Sequence, residues 1–260
     1  MPLDRLVELL HHFLLTLMRT SSLMIFWPLW DHRATPRPVK VFSMLVVALV
    51  LTPVAAPHLP AFPADWPALL SLALREFLLG LGIGLILRVI FAGVHMAGNL
   101  AAVYMGFGMV TLYDPQTQGQ GTVVADLMVL VALMLFLSLE IHHALFRLLA
   151  QSFVDLPMGG LPRLPLQALQ FLVGLGALAF KLAVQCLAPV IAVLFVTQVT
   201  LGYMARAVPQ IQVMILSFPL TIALGLLFIS FTLIFTGGLL QEQFGALKRP
   251  LTTFMRAWQG

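Results

Sequence analysis

The sequence predicts an all-α integral membrane protein, and three observations carry that prediction. Hydrophobic residues make up 60% of the 260-residue chain and charged residues only 9%, where a soluble domain carries about a quarter charged. So little polar surface cannot coat a water-soluble globule of this size. The apolar runs are long and continuous, as spans of ~20 residues require, and lack the short alternation of barrel strands. Turns rich in proline and glycine separate them. Without water, only a helix closes its backbone hydrogen bonds within one segment. Composition therefore excludes a cytosolic enzyme, a nucleic-acid-binding protein and a disordered tail as whole-chain readings. The net charge of +4 comes from dispersed basic residues, which is no nucleic-acid footprint. The single cysteine, Cys186, excludes an intrachain disulfide, no Cys/His spacing suggests a metal site, and no cofactor is expected.

The first candidate span runs from Leu6 to Trp27. Glu8, His11, His12 and Arg19 weaken it, and its apolar residues recur three and four apart, so an amphipathic helix facing a partner competes with a crossing. The same residues spoil the core of a signal peptide, so the segment is expected to remain in the mature protein. A polar loop with Asp31, Arg33, Arg37 and Lys40 precedes the second span, Val41 to Ala56. Prolines 53, 57, 60, 63 and 67 mark a turn-rich connection. The third region, Leu69 to Tyr104, is longer than one crossing needs and carries Arg75, Glu76, Arg88, His95 and Asn99. Arg75 and Glu76 are expected near an interface, and Arg88 deeper, with a partner or a wet surface. The most polar internal loop, Tyr113 to Gly121, leads to a further apolar stretch, Val123 to Phe153, which contains Asp126, Glu140, His142, His143 and Arg147.

Proline and glycine then cluster from Leu156 to Pro165, where no helix can continue. This break divides the chain into 1–160, 161–240 and a basic tail, 241–260. The middle portion reads as a helical hairpin: Leu166 to Thr200, a turn at Leu201 to Pro209, and Ile211 to Phe235. Pro209 stops the first helix, and Arg206 places a cation at its end. Basic residues in both the 31–40 loop and the tail conflict with an even number of crossings, which leaves orientation open.

Gly80, Gly82 and Gly84 sit inside an apolar helix with no strand before them. Packing is the expected role rather than phosphate binding, and likewise for Gly174 and Gly176. Adjacent histidines on a helix point about 100° apart, so His142 and His143 suit polar packing better than a metal. Arg88, Asp126 and Lys181 are expected as buried ionisable groups, either lining a transporter's solute site or pairing across subunit interfaces. The segment from Met105 to Pro115 alternates glycine with large soft apolar side chains. Glycine is adaptable and methionine fills irregular gaps. The composition fits a deformable apolar plug, although a plain connecting loop is the stronger reading from these residues alone.

Met105-Gly106-Phe107-Gly108 running into Asp114-Pro115-Gln116 resembles the FliR (SctT) family of type III secretion export-gate proteins. The similarity continues through Leu127 to Phe136, His142-His143, Ser152-Phe153 and Leu156-Pro157. It resumes at Leu201-Gly202, Arg206-Ala207, Pro209-Gln210 and Ser217-Phe218-Pro219-Leu220. Departures are Glu140-Ile141 where the family suggests Asn-Gly, Gln212 for Asn, and Ser217 for Gly. The flagellar branch is the more similar, with the virulence (injectisome) branch as its alternative.

The resemblance implies what composition cannot. It implies kinked helical hairpins, with 1–160 a FliP-like portion and 161–240 a FliQ-like hairpin. It implies a multi-pass protein of the bacterial inner membrane, in the flagellar basal body, assembled with FliP and FliQ beside FlhB and FlhA. Much of that assembly would stand above the membrane plane, which would resolve the topology conflict. Its role would be non-enzymatic passage of unfolded polypeptide. Residues 105–121 would be the gate loop, with Met105, Gly106, Phe107, Gly108, Met109, Tyr113, Asp114, Pro115 and Gln116 as plug residues. Arg206, Pro209, Gln210 and Pro219 would shape the hairpin turn or contact partners. Rival classes are a secondary transporter, which lacks the expected internal pseudo-symmetry, and an intramembrane hydrolase, which lacks a motif.

Overall fold

The computed structural model describes residues 2–30, 35–58, 65–107, 122–156, 166–207 and 213–259. Among them are eight α-helices: α1 (Pro2–Ile25), α2 (Arg37–Ala55), α3 (Trp66–Met105), α4 (Val123–Ser138), α5 (Ile141–Asp155), α6 (Leu166–Ala207), α7 (Val213–Ala246) and α8 (Lys248–Gln259). No strand occurs among the described residues. Four stretches are long and apolar enough to cross a membrane: Arg37–His58, Trp66–Met105, Ala168–Ala207 and Ser217–Arg256. The broken pair α4 and α5 makes a fifth if counted as one span. The chain is thus an all-α, multi-pass membrane protein. Helix α1 is not among these spans. Helix α3 has 40 residues, about 60 Å at 1.5 Å per residue, twice the ~30 Å hydrocarbon thickness.

Several of the hydroxyls that interrupt the apolar runs are satisfied at short range. Thr16 donates to the His12 carbonyl at 2.9 Å, Ser43 to Val39 at 2.7 Å, Thr52 to Ala48 at 2.7 Å and Thr197 to Val193 at 2.9 Å. A hydroxyl that returns its proton to the preceding turn costs little in an apolar surrounding. Pro38 lies in the first turn of α2, where the amide would have no partner anyway, whereas Pro53, Pro189 and Pro219 lie inside helices and each removes an amide donor there.

The chain divides into two compact units that cut across the linear division at 160. Unit 1 comprises residues 1–89, 140–176 and 245–260, and unit 2 comprises 90–139 and 177–244. In unit 1, α1 packs on α2, α2 on α5, and α5 on α8. Gly80 and Gly84 admit α1: a Cβ on Gly80 would run into the Arg19 carbonyl oxygen, and one on Gly84 would lie 2.7 Å from that of Leu23. Gly82 faces the Phe254 ring of α8 instead. Gly174 and Gly176 differ from expectation, since a Cβ there meets nothing within 4 Å. The segment 241–260 is no loose tail. It completes α7 and forms α8, whose Leu251, Phe254, Met255 and Trp258 are buried while Arg249 and Arg256 are exposed.

Glu76 is not near an aqueous interface. It is fully buried, and its Oε2 accepts from Arg19 Nε at 2.6 Å, with both side chains at 0% exposure. Arg19 Nη1 donates to the Ser152 carbonyl at 2.7 Å and to its hydroxyl at 3.2 Å, and Nη2 to the Leu156 carbonyl at 3.0 Å. The guanidinium also lies 4.5 Å from the Phe153 ring centroid. In unit 2, Phe91, Phe136 and Phe244 meet pairwise at 5.8–5.9 Å between centroids, an edge-on aromatic core joining α3, α4 and α7. The C-terminal hairpin also departs from expectation: α6 continues through Ala207, so residues 201–207 are helix, not turn. A lone Gly202 costs only about 1 kcal/mol in a helix and does not end it.

Helices α4 and α5 part at Glu140, which takes a left-handed conformation, φ 53° and ψ 28°. Asn and Gly occupy that region at little cost, and a glutamate does so under strain, which gives a physical reason for Asn-Gly at this point in the resembling family. Its exposed contact with His143, 3.6 Å, offsets little.

Two outcomes are expected. Arg19→Met strands a buried carboxylate and should cost about 3–5 kcal/mol, whereas adding Glu76→Leu should recover most of it. Thermal unfolding in detergent checks this, and equal losses in both variants would refute the coupling. Glu140→Gly should raise stability by about 1 kcal/mol through relief of the left-handed strain, read in the same assay.

Candidate functional site

The candidate site is built by the two points where the chain leaves and re-enters the helices around the gate-loop segment, all within unit 2. The exit is the end of α3. Helix-terminal carbonyls lack intrahelical donors, and here two are satisfied by a glycine cap. The Gly106 amide donates to the Val103 carbonyl at 3.1 Å and the Phe107 amide to that of Ala102 at 2.9 Å. This is the paired pattern of a helix ended by a left-handed residue, and Gly106 has φ 94°. Two constraints demand glycine there: the positive φ, and the Phe218 ring 2.9 Å from where a Cβ would sit. The next orphan carbonyl, on Met105, lies 3.1 Å from the Thr221 hydroxyl of α7, whose single proton it shares with the Ser217 and Phe218 carbonyls at 2.9 and 3.2 Å. The Met105 side chain is fully buried over Gly225, where any Cβ would strike it. Phe107 is half-buried.

The re-entry is the start of α4. Thr122 caps this helix, its hydroxyl oxygen accepting from the Ala125 amide at 3.3 Å. Thr122 is itself held from α3: its backbone N–H donates to Asn99 Oδ1 at 3.3 Å and its hydroxyl to the same oxygen at 3.2 Å. Asn99 Nδ2 lies 3.1 Å from His95 Nδ1, one helical turn earlier. Gly98 lets the backbone of Ala125 approach so closely that a Cβ would collide with it. Exit and re-entry are therefore both pinned, one by α7 and the other by α3.

Of the sequence-derived residues, the structure brings Met105, Gly106 and Phe107 to this site. Gly108, Met109, Tyr113, Asp114, Pro115 and Gln116 lie outside the described residues, as do Pro209 and Gln210. Arg206 is exposed in the last turn of α6, and Pro219 is exposed within α7. Of the ionisable set, Asp126 and Lys181 are exposed on this chain, which leaves them open to pairing across subunit interfaces, and Arg88 is half-buried in unit 1. The helix face carrying each, not its apolar neighbours in sequence, decides burial. Sequence reasoning also passed over Asn99, Thr122, Thr221 and Gly225. The four-residue spacing of His95 and Asn99 is a legible signal for one helical face. Their partner 23 residues beyond Asn99 leaves no such periodic trace. Among the described residues, no group of three or more His, Cys, Asp or Glu could hold a metal.

Known proteins resemble this chain along most of its length. The model of the family "Bacterial export proteins, family 1" matches residues 10–247. The flagellar biosynthetic protein FliR of Escherichia coli K12 is 33% identical over 214 residues, 81% of this chain and 79% of that protein. FliR of Bacillus subtilis 168 is 31% identical over 224 residues, 85% of each. FliR of Caulobacter vibrioides is 26% identical over 216 residues, 83% of this chain and 85% of its own. An all-helical membrane chain matched along nearly its whole length in this way belongs to the bacterial export protein family 1, the FliR family.

Proposed function

We propose that this inner-membrane component of the flagellar export apparatus is a non-enzymatic subunit of the export gate. With FliP and FliQ it forms the closed channel through which unfolded flagellar proteins cross the membrane, and its loop 105–121 plugs the pore. The observation that carries the reading is the double pinning of that segment: a glycine cap and Thr221 hold Met105 and Gly106, and Asn99 holds Thr122. A plug must be fixed at its roots and soft in between. Phe107, Met109 and Tyr113 supply apolar bulk, and an apolar constriction resists wetting, so it blocks ions without a charged barrier. A passing polypeptide then displaces side chains rather than breaking ion pairs. In this reading residues 1–160 are FliP-like and 161–240 FliQ-like. FlhB and FlhA are neighbours, with Arg206, Pro209, Gln210 and Pro219 near the partner contacts. The flagellar assignment is favoured over the virulence one by the relatives' names. The exposure of Asp126 and Lys181 speaks against a solute site within the chain.

Three measurements test this. In the assembled gate in planar bilayers, Phe107→Ala with Met109→Ala, or deletion of residues 108–121, should raise resting ion conductance, and unchanged conductance would refute the plug. Gly106→Ala forces a side chain into the left-handed region at roughly 1–2 kcal/mol and against Phe218, so it should also leak. A crosslinker at Arg206 should capture a FliQ-like hairpin or FlhB; capture of neither would count against the hairpin's place in the assembly.

A further inference from the structure

We infer that His95 is a proton-sensitive latch on the start of α4: neutral, it holds the helix cap, and protonated, it releases it. Only the consequence for gating rests on the plug reading, because Thr122 is the point where that segment returns to the helices. The argument runs from atoms that can play only one role. A backbone N–H donates, so the Asn99 atom 3.3 Å from the Thr122 amide is the carboxamide oxygen. The same oxygen takes the Thr122 hydroxyl proton at 3.2 Å. These two bonds fix the orientation of the amide, whose NH2 then faces His95 Nδ1 at 3.1 Å. A hydrogen bond there needs a lone pair on Nδ1, and so a neutral imidazole with its proton on Nε2.

Protonation places a hydrogen on Nδ1 and sets two donors against each other. The local relief is for the Asn99 amide to turn over and present its oxygen to the imidazolium. Its NH2 then faces the Thr122 N–H, which loses its acceptor. Thr122 is the cap of α4, so the first turn of that helix loosens with it. Acid therefore releases the cap and neutral pH holds it. Close packing makes the exchange all-or-none, because Gly98 leaves no room between α3 and Ala125. The charged groups on the neighbouring elements are Asp126, one turn into α4, and Lys181 on α6, beside the Leu182 that faces Gly93. Both are exposed. Arg88 lies two turns earlier on α3, and α7 carries Glu242 towards its far end.

The test is hydrogen–deuterium exchange at residues 122–126 in the purified, assembled gate, between about pH 5 and about pH 8 and corrected for the intrinsic pH dependence of amide exchange. The wild-type segment should exchange roughly five- to tenfold faster at the acid end, the equivalent of one net hydrogen bond. His95→Gln keeps an acceptor but does not titrate, so it should remain protected at both ends. Asn99→Asp accepts from Thr122 and from protonated His95 alike, so the slope should reverse, with acid now protecting. Equal slopes in wild type and His95→Gln, or an unreversed slope in Asn99→Asp, overturn the latch. A reversed slope together with unchanged conductance on loop deletion supports the latch and overturns the plug.

Discussion

A guanidinium with no exposed surface sets the terms for unit 1. A buried charge is tolerated only when it is paired and its hydrogen-bonding capacity is used, and Arg19 meets both demands by recruiting two other helices. Glu76 on α3 supplies the counter-charge, and the Ser152 and Leu156 carbonyls at the end of α5 supply the remaining acceptors. Those carbonyls belong to the end of α5, where Ser152 also accepts from the Leu156 amide and Leu156 lies past the last helical residue. Arg19 thereby acts as the cap of a helix more than 130 residues further along the chain. A lysine could not replace it, since a single ammonium lacks the planar fork that reaches a carboxylate and two carbonyls at once. One side chain thus fixes where α1, α3 and α5 meet, and Gly80 and Gly84 provide the close approach that lets it do so.

Unit 2 solves a different problem with neutral groups. Here a polar loop interrupts an apolar helical frame, and each break in a helix exposes carbonyls or amides that lipid cannot satisfy. The exit uses backbone geometry and one hydroxyl, at Gly106 and Thr221. The re-entry uses a carboxamide and a hydroxyl, at Asn99 and Thr122. Neither end depends on an ion pair. Hydrogen bonds between neutral groups can be exchanged at lower cost than buried charges separated, which suits the gate role proposed above.

How much of this was legible depends on the range of the interaction that decides it. The helical class followed from the long apolar runs, and α3 was expected to exceed one crossing because nothing between Leu69 and Tyr104 stops a helix. The amphipathic character of α8 was legible too, in Leu251, Phe254, Met255 and Trp258, but the lysine and arginines of the segment drew attention instead. The hairpin turn was set to begin at Leu201, whereas the helix runs on through Ala207, close to the proline at 209. Burial within this chain was not legible for ionisable groups: Asp126 and Lys181 lie on its exterior, and Glu76 is fully buried against Arg19. Those outcomes are set by partners 57 residues away or more, and periodicity within a single helix carries no record of them. The gate loop drew notice only through its resemblance to a family; its composition alone favoured an ordinary connection.

The contrast between the ends of that segment bears on how such a plug could work. Gly106 is held by geometry that no change of protonation alters: a positive φ, a ring packed over it and a carbonyl capped by Thr221. Thr122 is held through Asn99, whose orientation is set on one side by a backbone amide and on the other by a histidine. In the proposed reading the first end is permanent and the second conditional. A stopper held in that way would swing about its fixed end and return to the same seat once the conditional end is retaken. Two fixed ends would have to stretch around a passing polypeptide, and two loose ends would lose the seat. Under that proposal, the asymmetry between a glycine cap and a histidine-ordered amide would let a gate yield and close again without any covalent step.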